Sequence, residues 1–148
     1  MTDVVDPETR SRMMSGIRGK DTRPELIIRR RLHSLGFRYR LHDSNLPGKP
    51  DIVLKKYRAA IFVHGCFWHR HKCHLFKWPK TRREFWKNKL NRNRENDLKA
   101  LDSLASSGWR VCIVWECSLK GRHRDIARVS KAIEHWLRGD QNKLEIAG

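Results

Sequence analysis

Residues 50–64 read Pro50-Asp51-Ile52-Val53-Leu54-Lys55-Lys56-Tyr57-Arg58-Ala59-Ala60-Ile61-Phe62-Val63-His64. Two apolar runs, 51–54 and 59–63, flank a short basic turn, and this pattern predicts two strands joined by a tight connection. Pro50 is typical of the first position of a strand, where its missing N–H costs no ladder hydrogen bond. The second run carries no charge, so we expect it to be buried.

Helical and strand patterns extend outward from this pair. Thr22-Arg23-Pro24-Glu25 is a capping box that predicts a helix over 22–35. A second capping box, Thr81-Arg82-Arg83-Glu84, predicts a long helix that ends near Gly108. The other expected elements are strands over 37–42 and 109–115 and a last helix over 125–137. The order α-β-β-β-α-β-α indicates an α/β fold, with helices on both faces of a mixed sheet.

The length of 148 residues fits one folded domain. We expect a basic N-terminal arm over 1–21, a single domain over 22–138 and a frayed C-terminal tail over 139–148. A short helix is predicted from Asp6 to about Met14. The arm has two interpretations of equal weight: a disordered cationic leader, or a segment that enters a DNA groove with a methionine wedged between bases.

The charge balance points to a polyanionic partner. Lys and Arg number 33 against 16 Asp and Glu, a net charge of +17. This excess is spread through the chain, so nucleic acid is favoured over a ribosomal or membrane-surface role. The N-terminus lacks a secretory pattern and no run of about 18 apolar residues occurs, so we expect no membrane association.

Residues 64–74 concentrate metal-binding side chains: four histidines and two cysteines lie within eleven residues. In a chain without an export signal, cysteines favour metal binding over disulfides. Cys112 looks like a small buried apolar residue. The loop ligands, with a cysteine that follows a later strand, predict a closed structural Zn²⁺ site made by Cys66, His71, Cys73 and Cys117. The alternative is inert cysteines beside unrelated surface histidines.

A closed zinc site has no open position for catalysis, so other groups must supply any chemistry. His64 and His69 are then candidates for acid–base work, whereas His74 is expected to be an ordinary exposed histidine. Asp51, at a strand start, is a candidate Mg²⁺ ligand, although a turn-capping role is the simpler interpretation in isolation. Glu25 has an equally simple role as the acid of its capping box.

The combination of Asp51, a turn and an apolar strand resembles the PD-(D/E)xK core of restriction-endonuclease-like nucleases. In that core an acid from the preceding helix often joins the site, and Glu25 is suitably placed. The sequence departs from the pattern because Phe62-Val63-His64 stands where an acid-x-Lys is usual. Histidines would therefore have to supply the proton chemistry.

Longer motifs make the resemblance specific. The chain resembles the very short patch repair (Vsr) DNA mismatch endonucleases from about Asp6 to Leu137. The matching motifs are Asn45-Leu46-Pro47-Gly48-Lys49-Pro50-Asp51-Ile52-Val53, Val63-His64-Gly65-Cys66-Phe67-Trp68-His69, Phe85-Trp86, Gly108-Trp109-Arg110-Val111 and Val114-Trp115-Glu116-Cys117. The resemblance implies Mg²⁺-dependent nicking of one strand of double-stranded DNA at a T:G mismatch, and a structural zinc.

The resemblance also implies roles for individual residues. Asp51 would bind Mg²⁺ together with the backbone carbonyl of Val63. His69 would be the general base, and His64 and Glu25 would support the metal site.

The zinc ligands implied by the resemblance are the same four residues that the spacing suggests. The implied DNA contacts are aromatic side chains beside the mismatch and a wedge from the opposite groove: Phe67, Trp68, Trp86 and Met14. From the residue pattern alone, core packing is the favoured role of Trp86, whereas Phe67 and Trp68 are expected to be exposed.

We therefore expect a monomeric, cytoplasmic, nucleoid-associated bacterial enzyme, with contacts to mismatch repair proteins. Two rival interpretations remain. The first is a zinc-stabilised DNA-binding protein without catalysis. The second is a hydrolase whose zinc is itself catalytic.

Overall fold

The structure is a computed structural model and describes residues 22–148; the arm 1–21, its predicted helix and Met14 lie outside the described residues. The described chain runs in the order α1, β1, β2, β3, α2, β4, α3, β5. The helices are α1 (Arg23–Ser34), α2 (Arg83–Ser106) and α3 (Ile126–Arg138). The strands are β1 (Arg40–Leu41), β2 (Ile52–Leu54), β3 (Ala59–His64), β4 (Arg110–Trp115) and β5 (Lys143–Ile146).

These strands form one mixed sheet in the spatial order β1-β2-β3-β4-β5. The pairs β1–β2 and β2–β3 are antiparallel, and β3–β4 and β4–β5 are parallel. His64 and Trp115 are register partners at the ends of β3 and β4. The loop after β3 and the 3-10 turn Glu116–Ser118 therefore start side by side, at the carboxyl ends of two neighbouring parallel strands.

Each face of the sheet carries its own core, as the alternating pattern of β4 predicts. Cys112 and Val114 pack with residues of α1 and α3, among them Ile28 and Ile133. Val111, Ile113 and Trp115 pack on the other face with Leu104 of α2. The predicted α/β class, with helices on both faces of a mixed sheet, is confirmed.

The N-terminal cap is predicted correctly from the sequence for α1 but not for α2. The Thr22 side chain accepts a hydrogen bond from the Glu25 N–H at 3.4 Å, so the first capping box is present. The second prediction is wrong in its cap. Arg82, not Thr81, is the N-cap of α2; it has φ +53° and makes no side-chain capping bond.

Two strand predictions also need correction. The strand expected over 37–42 is only two residues long, because His42 has φ +49° and turns the chain away. The tail expected over 139–148 to be frayed instead contains β5, which extends the sheet beside β4. Among residues 22–148, we find no helix that combines the length and apolarity needed to cross a membrane.

Candidate active site and metal-binding clusters

The loop before β2 is held tightly in place, which fixes the start of that strand. Gly48 has φ +74°, and a Cβ added there would lie 2.7 Å from the Cβ of Ala100 and 3.2 Å from the Phe62 ring. A larger residue would therefore clash with α2 and the sheet as well as straining the backbone. The Asp51 carboxylate Oδ2 then accepts a hydrogen bond from the Val63 N–H at 2.7 Å.

Three side chains form what we call the carboxylate site: Glu25, His42 and Asp51. Each offers one ligand atom, and these atoms lie within 4.8 Å of one another. Glu25 comes from α1, where it is 1% exposed. Asp51 stands immediately before β2. Paired carboxylate oxygens are the donors that Mg²⁺ prefers, so this set fits a hard divalent cation.

The environment of Asp51 opposes its ionisation. The pKa of Asp51 is raised from 3.8 to about 7, mainly by burial and to a smaller extent by the nearby charge of Glu25. The Val63 N–H lowers the pKa, as do the charges of His42 and His69. A buried carboxyl beside another carboxylate is stabilised as an anion by a bound cation, which is the electrostatic reason to place a metal here.

A second group lies at the end of β3 and contains His64, His69 and Asp97. The His69 and His64 rings stack with centroids 3.8 Å apart and planes 5° apart. His69 Nδ1 lies 2.5 Å from Asp97 Oδ2, a carboxylate of α2. This bond places the imidazole proton on Nδ1 and leaves Nε2 as a proton acceptor.

His64 itself is 6% exposed, and its Nδ1 has no hydrogen-bond partner within residues 22–148. Burial lowers the pKa of His64 well below 6.5, and the neighbouring His69 and His71 lower it further. His64 is therefore neutral at pH 7. A neutral ring stacked on His69 adds no positive charge beside it, and such charge would make His69 a poorer base.

The thiol site consists of Cys66, His71, Cys73 and Cys117, whose ligand atoms also lie within 4.8 Å of one another. His71 Nδ1 is 3.5 Å from Cys66 Sγ and 3.6 Å from Cys117 Sγ. Three sulfurs and one imidazole nitrogen are the donors of a closed structural zinc site. Residues that the sequence analysis grouped by spacing and by resemblance are therefore brought together by the fold.

Burial favours the uncharged forms of Cys66, Cys117 and His71 in the thiol site. Burial raises the pKa of the Cys66 thiol, and burial also raises the pKa of Cys117. Burial lowers the pKa of His71, which keeps its ring neutral and able to bind a metal. Without a metal the Cys66 and Cys117 thiols remain protonated, and metal binding would release those protons.

Neighbouring side chains hold the thiol site in place. The His71 ring stacks on Trp115, with centroids 4.0 Å apart and planes 8° apart. The Trp115 Nε1–H donates to Glu145 of β5 at 2.7 Å. Glu116 accepts a hydrogen bond from the Cys66 N–H at 3.2 Å. Strands β4 and β5 thus support the ligands from one side.

Helix α2 holds the loop after β3 from the other side. Asn93 donates to the Trp68 carbonyl at 3.1 Å, and Arg70 donates to Asn91 at 2.7 Å. Together with the bond between His69 and Asp97, these contacts fix three consecutive loop residues against one helix.

The aromatic side chains of the loop pack with α2 into one cluster. Phe67 and Trp68 are half-buried, their ring centroids 5.3 Å apart, and both lie within 6 Å of the Trp86 ring. Trp86 is only 5% exposed. Core packing, favoured for Trp86 by the residue pattern, is what the structure has, and the loop aromatics are less exposed than expected. His74 also differs from expectation, because its Nε2 is buried without a hydrogen-bond partner in the described chain.

The structure thus separates the predicted residues into neighbouring groups. Glu25 joins Asp51, and His64 joins His69. His42 and Asp97 are not among the residues that the sequence predicts for either group. Asp97 is four residues after Asn93, so both lie on one side of α2. That spacing alone does not indicate that the loop after β3 packs against this side of the helix.

The known proteins that this chain resembles are mismatch endonucleases and nicking enzymes. A family model described as DNA mismatch endonuclease Vsr matches residues 2–75. The chain is 45% identical over 148 residues to the DNA mismatch endonuclease Vsr of Escherichia coli, covering 99% of this chain and 94% of the relative. It is 49% identical over 119 residues to the type II nicking enzyme V.XorIIP of Xanthomonas oryzae pv. oryzae, covering 80% and 88%.

A third relative, the type II nicking enzyme V.NmeAIP of Neisseria meningitidis serogroup A, is 44% identical over 122 residues, with 82% of this chain and 87% of the relative covered. The identity to these relatives extends well beyond the residues of the family model. The chain therefore belongs to the family of Vsr DNA mismatch endonucleases.

Proposed function

We propose that this protein is a Mg²⁺-dependent endonuclease that nicks one DNA strand beside a T:G mismatch, as a step of very short patch repair. The observation that carries the proposal is that two groups of side chains lie near the end of β3. One is the carboxylate site, and the other is the hydrogen-bonded His69 and Asp97. Their common support is Val63, whose N–H binds Asp51 and which directly precedes His64.

Asp51 would hold the Mg²⁺, with the Val63 carbonyl as a backbone ligand and Glu25 in support. A bound Mg²⁺ supplies positive charge for the phosphate oxygens and lowers the pKa of a coordinated water. Asp51 and Glu25 provide the negative charge that selects a divalent cation, and burial of Glu25 keeps its position fixed. We also infer a restriction-endonuclease-like fold, because Asp51 precedes the antiparallel β2–β3 pair and Glu25 comes from the helix before it.

His69 is suited to be the general base. Its Nδ1–H donates to Asp97, which leaves Nε2 free to accept the proton of the attacking water. The water oxygen forms the new bond to phosphorus, and the bond from phosphorus to the leaving sugar oxygen breaks. That oxygen then takes a proton from solvent. Asp97 orients the ring and stabilises the imidazolium that forms, as a carboxylate does in hydrolases that pair it with histidine.

The thiol site would hold a structural Zn²⁺. Its four donors leave no position for substrate, so it would act by fixing the loop that carries His69. The aromatic cluster lies in the same loop. We infer that Phe67, Trp68 and Trp86 contact the mismatch, with Met14 of the arm on the opposite groove. A T:G pair resists unstacking less than a normal pair, and each aromatic that stacks on a base contributes about 1–3 kcal/mol.

The net charge of +17 supports a DNA substrate, since a polyanion relieves the self-repulsion of so basic a chain. A single nuclease domain, with the arm 1–21 contacting DNA, is part of the proposal. Because β5 pairs with β4, we place the end of that domain beyond 138.

The proposal is tested by nicking assays on matched duplexes that differ only in a T:G or a T:A pair. We expect Mg²⁺-dependent nicking of the T:G duplex alone. Asp51→Asn should lower the rate at least about 10²–10³-fold, the usual effect of removing a charge stabiliser of the transition state. Duplex binding and zinc content should stay unchanged, because Asp51 is neither a proposed DNA contact nor a residue of the thiol site.

Asp140→Asn is the matched control, since Asp140 is an exposed carboxylate. It should nick at the wild-type rate. Nicking that survives Asp51→Asn would reject the assigned metal ligand. A wild-type protein that binds the mismatch tightly but never cuts it would favour the non-catalytic DNA-binding alternative.

A further inference from the structure

His42 is fixed to Asp51 through the backbone. Its N–H donates to the Asp51 carbonyl at 3.0 Å, which continues the pairing of β1 with β2 by one residue. At the same residue φ is +49°, a left-handed conformation that costs a non-glycine residue roughly 1 kcal/mol. The strand β1 therefore ends at Leu41, and His42 lies beside Asp51 of the carboxylate site.

The side chain of His42 reaches a different element. Its Nε2 lies 2.9 Å from Glu25 Oε2 and 3.0 Å from Glu25 Oε1. His42 is 14% exposed and Glu25 is 1% exposed, so this contact is largely removed from water. One residue thus binds Asp51 with its backbone and Glu25 with its ring.

The carboxylate site needs such a connection. Glu25 stands on a helix and Asp51 immediately before a strand, and the two carboxylates repel each other, since the charge of Glu25 adds to burial in raising the pKa of Asp51. Arg29 also donates to Glu25 Oε2, at 3.0 Å, but it lies one turn along the same helix. Its bond therefore orients Glu25 within α1 and does not tie α1 to the strand.

We propose that His42 is a positioning residue for the metal-dependent step: it holds the Glu25 carboxylate against the Asp51 carboxylate so that both serve one divalent cation. The inference rests on the proposed function, in which that cation is Mg²⁺. Partners that orient metal ligands in this way typically change metal affinity or activity about 10–100-fold when they are removed.

The test compares His42→Leu, which removes the ring donor, with His42→Gln, whose amide N–H still donates to Glu25. Nicking of a T:G duplex is measured against Mg²⁺ concentration. His42→Leu should need about tenfold more Mg²⁺ for half-maximal rate, with an unchanged KM for DNA. His42→Gln should recover most of that loss. The exposed His135, changed to Leu, serves as the matched control and should behave as wild type.

Mn²⁺ binding, followed by electron paramagnetic resonance without DNA, gives a readout independent of nicking and should weaken in the same order. An unchanged metal dependence in His42→Leu, or equal impairment of the Leu and Gln variants, would overturn the inference. If His42→Leu does not fold, His42→Asn, whose amide is too short to reach Glu25, replaces it and carries the same expectation. Active Asp51→Asn would reject the proposed function, whereas inactive Asp51→Asn with normal His42→Leu would reject only this inference.

Discussion

The thiol site and the carboxylate site are built in opposite ways around the end of β3. Three of the four thiol-site donors come from one loop, between Cys66 and Cys73, and the fourth follows β4. The three carboxylate-site residues come from three separate parts of the chain: α1, the end of β1 and the start of β2. The donors of the thiol site are mainly sulfur, and those of the other site are mainly oxygen.

The two sites also differ in the interactions that stabilise their metal-binding atoms. The sulfurs of Cys73 and Cys117 accept backbone N–H bonds, from Leu75 at 3.4 Å and from Gly148 at 3.2 Å. These donors are uncharged, so a bound cation would be the main stabilising partner of the thiolates.

Glu25 already has the ring of His42 and the guanidinium of Arg29, and Asp51 has the Val63 N–H. Ligand atoms that depend on the ion for stabilisation suit a permanently bound metal. Ligand atoms that also have hydrogen-bond partners in the protein suit an ion that exchanges with substrate and water.

The largest effect should come from breaking the thiol site. Cys117→Ser removes a buried ligand, and because a structural zinc contributes its binding free energy to folding, we expect a loss of several kcal/mol. The variant should contain less than one zinc per chain and should unfold well below the wild-type melting temperature. Metal analysis and thermal unfolding measure the two quantities.

Cys112→Ala is the matched control, since Cys112 is a buried thiol on the opposite face of the sheet. It should keep one zinc per chain and lose only the packing of a small side chain, about 1 kcal/mol. A Cys117→Ser protein that melts as wild type but no longer nicks would instead identify a catalytic zinc.

An intermediate effect should come from separating His69 and His71, which lie in one loop but belong to different groups. His69→Ala should slow single-turnover nicking about 10²–10⁴-fold, as expected when a general base is removed, and leave zinc content and melting temperature unchanged. Asp97→Asn should give a smaller loss in the same assay, because the ring stays present but is less well oriented.

His71→Ala should do the reverse and lower zinc content and melting temperature first. If His69→Ala loses zinc, or if His71→Ala slows nicking in a protein with full zinc content, the two histidines have been assigned to the wrong groups.

The last effect in this order concerns the pH dependence of the stability of the protein without Mg²⁺ and with its zinc in place. Because the pKa of Asp51 is about 7 in the fold and about 3.9 in the unfolded chain, the fold binds the extra proton between these values. Stability therefore falls as pH rises from about 4 to 7. Asp51→Asn removes this penalty, which reaches about 4 kcal/mol above pH 7, so its melting temperature should exceed that of wild type by roughly 10 °C at pH 8 and by less at pH 5.

Excess Mg²⁺ should reverse this order at pH 8, since wild type then gains a bound ion and the Asn variant does not. The exposed Asp140→Asn should follow wild type at every pH. A constant difference between Asp51→Asn and wild type across this range would mean that Asp51 does not titrate within it.

The thiol site comes mainly from one loop and the carboxylate site from three separate parts of the chain. This difference explains how much of each site could be predicted from the sequence. The thiol-site ligands have distinctive chemistry and three are close in sequence, so spacing and residue type group them before any fold is known. Asp51 and Glu25 have ordinary structural roles when taken singly, and only the resemblance to a nuclease family connected them. His42 and Asp97 carried no local signal, because each becomes a neighbour of the site only through strand pairing or helix packing.

The secondary-structure errors have the same origin. The first capping box works because Thr22 and Glu25 interact within one turn. The second fails because Arg82 takes a left-handed conformation that its own sequence does not specify. The strand β5 is only four residues long, with Leu144 and Ile146 as its apolar residues, and its position depends on pairing with β4.

The division of the thiol site between one loop and a distant turn has a consequence for how the chain would fold if the site binds zinc. Cys66, His71 and Cys73 are close in the unfolded polypeptide, so that polypeptide already has a partial binding site. Cys117 lies 44 residues after Cys73 and arrives only when β3 and β4 align. Zinc captured early would shorten the search for this parallel pairing, because its last open position is filled only in the correct register. The ion would then act as a checkpoint on assembly, and refolding with zinc present from the start should be faster than refolding with zinc added at the end.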